Sequence, residues 1–149
     1  MEKRAVKKVL AIVEPRLEQG ERVEHVCIGG IMPPSQSHKV GNVAAGVGAA
    51  AAAMVGGVGV IPVKMAQRYY LILTDRRLIF LDQDMRHARP LTTISWILPR
   101  QGLRVERVRS FPSGKLALAD PQGNQLCVLF FPLGVRLDAT NLLKHFPAA

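Results

Sequence analysis

Acidic side chains are scarce in this chain, and their scarcity is uneven. Eleven Asp and Glu face twenty Lys and Arg, a formal net charge of +9, and no acidic residue occurs between Glu24 and Asp75. Such an excess draws a protein toward anionic surfaces, phospholipid headgroups or nucleic acid, through a screened long-range field. Its plainer role is solubility. Cysteine is limited to Cys27 and Cys127, which excludes a disulfide framework. Their neighbours, Val26 and Ile28, Leu126 and Val128, read as strand interiors with buried free thiols. His25, His38, His87 and His145 lack metal-ligand spacing. His25 and Cys27 share a strand face, but the sequence sets no carboxylate or second histidine beside them to complete a nucleophilic site. The expectation is a non-enzymatic protein with no cofactor and no metal. Near the N-terminus the longest apolar run, Val9 to Val13, is too short for the core of a signal peptide, so the chain is expected to stay on the cytoplasmic side.

What is present is organised around Arg68 to Asp82. Two runs rich in β-branched, aromatic and leucine side chains flank a polar four, Thr74 to Arg77, as in a β-hairpin. Asp75 suits the turn because its carboxylate accepts from backbone N–H groups nearby. Tyr70 and Ile72 point to one face, Tyr69, Leu71 and Leu73 to the other; with both faces apolar, the hairpin belongs inside the sheet.

Around it lie shorter signals. Glu2 to Glu18 carries Val6, Val9, Leu10, Val13 and Leu17 on one helical face, opposite Lys3, Arg4, Lys7 and Lys8. Pro15 kinks or restarts that helix and Gly20 stops it. Its apolar face fits its own domain, a partner or a membrane surface. Val23 to Ile28 reads as a strand, followed by a loop that opens at Gly29. Downstream, Leu91–Leu98, Leu103–Phe111, Lys115–Ala119 and Gln125–Phe131 read as strands. Ile94 and Trp96 alternate with Thr93 and Ser95, and Asp120 to Asn124 is a turn. Asp138 is expected to N-cap a short helix through His145, with Leu142, Leu143 and Phe146 facing inward.

An apolar run, Thr74-Asp75, Arg77, then Leu78-Ile79-Phe80-Leu81 resembles the second hairpin of bacterial pleckstrin-homology-like (PH-like) domains and the related GRAM domains. Leu17 ahead of Gly20-Glu21 resembles the lead-in to their first strand. The resemblance covers roughly residues 17–29 and 68–146. It implies a mainly β (α+β) fold, a seven-stranded PH-like barrel with a short C-terminal helix. Residues 1–22 would form an N-terminal helix and lead-in, and residues 23–149 the PH-like domain with a Gly/Ala-rich insertion at 30–67.

That insertion departs from the family pattern. No charge occurs from Val40 to Val63, and the 21 residues from Val43 are mainly Ala, Gly and Val. Gly46-Val47-Gly48-Ala49-Ala50-Ala51 loosely matches a dinucleotide loop, but no strand feeds it and no acidic residue follows to hold a ribose. The run is long enough to cross a bilayer core as a helix. Ala44, Gly48, Ala52 and Gly56 recur every four residues, a small ridge that admits a second helix closely. Three readings stand: a membrane-inserted or membrane-resting segment, a helix packing on a copy of itself or on the domain, and a mobile loop. In lipid-binding PH domains the loop between strands 1 and 2 meets phosphate headgroups. Here Lys39, Lys64 and Arg68 flank the run and would supply that contact. Arg100, Arg104, Arg107 and Arg109 form a second basic cluster, read as a solvated strand edge. With few aromatics interleaved, nucleic-acid binding ranks below the other readings.

The expected function is association with an anionic phospholipid membrane at the inner face of the plasma membrane, peripheral or inserted. The alternative is a homo-oligomer or protein–protein scaffold built on the Gly/Ala ridge. Replacing Gly48 and Ala52 together with Leu separates them. Flotation with liposomes is expected to hold or strengthen, because leucine is more apolar, while self-association through the ridge is lost. Flotation that fails ends the insertion reading, and cross-linking that survives ends the ridge reading.

Overall fold

The N-terminal apolar stripe forms α1 (Lys3–Val13), continued by one 3-10 turn, Glu14–Arg16. Pro15 sits in that turn, so the kink expected there is a change of helix type. The computed structural model describes residues 1–32, 68–108 and 113–147. Seven strands follow: β1 (Val23–Met32), β2 (Arg68–Thr74), β3 (Arg77–Asp84), β4 (Arg89–Pro99), β5 (Arg104–Val108), β6 (Gly114–Ala119) and β7 (Gln125–Phe131). A 3-10 turn, Leu133–Val135, leads into α2 (Arg136–Leu143). The strands form one sheet in the order β4-β3-β2-β1-β7-β6-β5, and all neighbours are antiparallel. The element order is the one expected, seven strands and then one C-terminal helix; the strands pair as two meanders, β1 to β4 and β5 to β7, joined where β1 runs against β7. The sheet is open and not a closed barrel: among the described residues β4 and β5 remain unpaired edges. In the β4–β5 connection Gly102 (φ +78) lies so close to Pro121 of the β6–β7 turn that a Cβ there would sit 2.5 Å from its Cγ.

The hairpin is buried on both faces, as its alternation requires. Tyr69, Leu71, Leu73, Leu78 and Phe80 enter the main core with Trp96, Leu116, Leu118, Leu129 and Phe131. Ala139, Leu142 and Phe146 from the C-terminal segment cover that core, with Leu143 against it. Tyr70, Ile72, Ile79 and Leu81 form a second core on the other face, closed by Val9 and Val13 of α1. Each such side chain withdrawn from water contributes about 1.5–3 kcal/mol. The stripe of α1 is thereby used within its own domain, leaving Lys3, Arg4, Lys7 and Lys8 exposed.

Three local expectations change. β1 does not stop at Ile28; Gly29 to Met32 continue it. It pairs with β2 from Val23 to Gly30 and with β7 from Gly30 to Met32. At Gly29 a Cβ would lie 3.1 Å from Leu71 and 3.2 Å from Phe131, so a glycine admits both side chains where the strand changes partners. Ile94 and Trp96 do not share a face. Phe80 pairs with Trp96 but Leu81 with Ile94, so Ser95 is an extra residue, a β-bulge. The bulge sends Trp96 to the main core and Ile94 to the core under α1. Asp138 is not an N-cap: the turn after Pro132 starts the helix earlier, placing Asp138 in the first turn of α2 with Val135 at the cap.

The lead-in is clamped to the hairpin. Glu21, 7% exposed, accepts from Arg77 Nε at 3.0 Å and Nη2 at 2.8 Å, from the Thr74 hydroxyl at 2.7 Å, and from the Glu18 N–H at 2.8 Å. Thr74 Oγ1 in turn accepts from the N–H groups of Arg76 and Arg77, closing the turn. The loop proper is thus two residues, Asp75 and Arg76. Asp75 does accept a backbone bond, but from Arg22 of the lead-in at 2.9 Å. Burial acts to raise the Glu21 pKa; the bonds from Arg77, Thr74 and Glu18 and the Arg77 charge override it and bring it down from 4.5 to about 2.

Removing one partner of a buried pair leaves the other uncompensated, so Glu21→Ala is expected to lower stability by about 3 kcal/mol. Asp75→Ala, which loses one exposed bond, is expected to cost about 1 kcal/mol. Because the folded-state pKa of Glu21 is depressed, its contribution is complete above about pH 4.5 and is lost as pH falls toward about 2. Urea titrations across that window check both points; equal acid sensitivity in wild type and Glu21→Gln would contradict the second.

Candidate functional site

The sheet end at which residues 33–67 leave β1 and return to β2 is where candidate contact residues collect. Of the expected residues Arg68 is described, and it is exposed at the start of β2 opposite Gly30. Lys39, Lys64, Ala44, Gly48, Ala52 and Gly56 lie outside the described residues. The Arg68 N–H donates to Met85 Sδ at 3.4 Å, which sets the β3–β4 turn beside the β2 start. That turn carries Met85, 53% exposed, with exposed Arg86, His87 and Arg89.

The turn is built, not loose. Asp84 accepts from the Arg86 N–H at 2.9 Å, and its other oxygen lies 3.1 Å from His87 Nδ1. The Arg86 N–H and the His87 side chain hold the Asp84 carboxyl below its usual range. Ala88 has φ 51, a left-handed conformation unusual for a residue with a Cβ. Its carbonyl accepts from the Tyr70 hydroxyl at 2.9 Å, and Gln83 Nε2 donates to that same hydroxyl. Tyr70 thus anchors the turn from within the second core. Among the described residues the side chains of Arg68, Arg86 and Arg89 meet no carboxylate. Asp82 accepts from the Ser95 hydroxyl. From the sequence alone Gln83 to Pro90 reads as a polar loop; the structure instead runs β3 to Asp84 and starts β4 at Arg89, with Met85 beside Arg86 as the one local signal of a surface role.

At the other end the basic residues are spent on structure. Arg76 pairs with Glu18 at 3.0 Å and Arg77 with Glu21. Arg100 pairs with Glu24 and donates to the carbonyls of Thr74 at 2.9 Å and His145 at 2.8 Å, with Phe146 beneath its guanidinium. The expected basic cluster is therefore dispersed. Arg107 donates to the Thr140 hydroxyl at 2.6 Å, while Arg104 is exposed on β5 and Arg109 lies outside the described residues.

His25 lies 5.1 Å from the His145 ring, and its buried Nε2 has no hydrogen-bond partner among the described residues. Burial, then the neighbouring His145, lowers its pKa below the ordinary 6.5. Cys27 is fully buried and Cys127 nearly so. Burial pushes the Cys27 thiol strongly up and Cys127 up to about 12. Among the described residues no three His, Cys, Asp or Glu could hold a metal ion, and no described helix is long and apolar enough to cross a membrane.

The solved pleckstrin homology domain from Shewanella amazonensis SB2B is similar to this chain, at 15% identity over 93% of this chain and 91% of that one, with a TM-score of 0.46. No family model and no curated protein matches.

Both thiols are expected to resist a thiol reagent at neutral pH in the native protein and to react promptly once urea unfolds it. Rapid native labelling of either would show that the strands around it open readily.

Proposed function

We propose that this domain is a non-enzymatic module that attaches to an anionic membrane surface by the end bearing Arg68, Met85, Arg86 and Arg89. The observation that carries the reading is the unequal use of charge. Arg76, Arg77 and Arg100 are neutralised by Glu18, Glu21 and Glu24, whereas Arg68, Arg86 and Arg89 have no carboxylate on their side chains among the described residues. An ordered turn presenting an exposed methionine between such arginines supplies apolar and ionic contact together. Either alone attaches a protein weakly, and the two together hold it. The sequence connecting β1 to β2 carries Lys39 and Lys64, further positive charge, and no charged residue from Val40 to Val63. The cytoplasmic face of the plasma membrane, rich in anionic lipid, is the surface this charge fits.

The test is liposome flotation with neutral vesicles and with vesicles containing phosphatidylserine. Wild type is expected to float with the anionic set only, and Arg86→Glu with Arg89→Glu to cut the bound fraction at least several-fold. Moderate salt should weaken attachment without abolishing it, since screening acts within about 10 Å at 0.1 M and leaves apolar contact intact. Binding that ignores lipid charge, or that survives both reversals, would sink the reading.

A further inference from the structure

β1 sets its one histidine against the segment that follows α2. His25 is half-buried, its Nε2 is closed off from water, and among the described residues that nitrogen meets no hydrogen-bond partner. The ring lies 5.1 Å from that of His145, the two planes tilted by 33°. His145 belongs to the stretch that seals the main core. Its carbonyl accepts from Arg100 Nη2 at 2.8 Å, and the next residue, Phe146, is buried in that core beneath the same guanidinium. The N–H groups of Lys144, His145 and Phe146 donate to the carbonyls of Thr140, Leu142 and Leu143.

Every charge around the two rings bears on a proton arriving there. Glu24, on the same strand, lies 3.8 Å from His145 Nδ1 but is already paired with Arg100. Burial does most to keep His25 neutral; the neighbouring His145 and the N-terminal amine act the same way, against Asp138 of α2. A protonated His25 would hold a buried Nε2–H with no acceptor among the described residues, beside a second imidazole. A buried donor in that state costs free energy that water relieves.

We propose that His25 and His145 form a proton-operated latch on the C-terminal segment: it stays shut while His25 is neutral, and a proton on His25 lifts Lys144 to Pro147 away and bares the apolar surface under Phe146. The result is an apolar contact offered only in mild acid. With the closed-state pKa below the ordinary 6.5, the open form binds more protons there, so closure is complete above about pH 6.5 and weakens as pH falls below it. Glu21 is protonated only below about pH 4.5, so the two responses are separate. The latch lies apart from the β3–β4 turn and does not depend on membrane attachment.

The test is amide exchange on the whole chain at about pH 7.5 and about pH 5, either side of the free histidine value, corrected for the intrinsic effect of pH on exchange. Protection at Lys144, His145 and Phe146 is expected to fall about tenfold in acid, the response of one histidine titrating below its free value. Leu71 and Leu129 in the sheet are expected to hold theirs. His25→Leu is expected to abolish the fall, and His25→Gln, which keeps a polar side chain on the strand, to do the same. His145→Asn removes the opposing ring but not the carbonyl under Arg100, and a smaller fall is expected. Equal protection at both pH values in wild type, or an undiminished fall in either His25 variant, overturns the latch. So does a fall shared by Leu71 and Leu129, which is global unfolding.

Discussion

One carboxylate holds the chain's beginning to its central hairpin. Glu21 accepts from Arg77, Thr74 and Glu18, so the lead-in and both strands of the hairpin meet at a single buried group. In a low-dielectric setting a charge of this kind is tolerable only when paired and bonded, so the site admits little alternative arrangement. Its consequences spread outward from there. With Glu21 fixed, β1 enters beside Thr74, and after a shift of register between Val23 and His25 it runs on with Val26 opposite Ile72 and Ile28 opposite Tyr70. The clamp also fixes where α1 ends, because Arg77 reaches back to the Arg16 carbonyl and Arg16 donates to Thr92. A one-residue slip of β2 would turn Tyr70 and Ile72 toward the wrong core.

The same bookkeeping of charge separates scaffold from surface. Three arginines are consumed by three glutamates at the clamped end, where the β2–β3 turn, the β4–β5 connection and the C-terminal segment converge. Their charge is largely cancelled there and contributes little at a distance. The residual field arises elsewhere, from groups such as Arg68, Arg86 and Arg89, so a net charge of +9 understates the polarity of the molecule.

How much of this was legible in the sequence depends on the range of each interaction. The two-faced hairpin was readable because alternation along Tyr69 to Leu73 is a property of adjacent residues. The limits of β7 were readable for the same reason, and the Asp120 turn came through with its Asn124 bonds in place. The bulge at Ser95 was not legible: nothing in Thr93 to Trp96 marks an extra residue, and only pairing with Phe80 and Leu81 reveals it. β1 was read short because Gly29-Gly30 signals a turn locally, whereas here it serves a crowded crossing of strands. The arginine cluster failed for a related cause. Nearness along the chain placed Arg100 with Arg104 and Arg107, while the partners that decide its role, Glu24 and His145, lie far away in sequence.

The change of partner along β1 also sets where the chain leaves the sheet after Met32 and rejoins it at Arg68. Met32 is held against Val128 of β7, and two residues earlier Gly30 lies between Phe130 and Arg68. Both ends of the connection are thus pinned by ladders on either side of one strand, close together before any intervening residue is considered. Closing a loop costs entropy that grows only with the logarithm of its length, about 0.6 kcal/mol for each doubling, so two strand ends already held together are a point at which added length costs a fold little. Between Met32 and Arg68 the sequence holds no acidic residue, so any charge this stretch carries between the two pinned ends is positive.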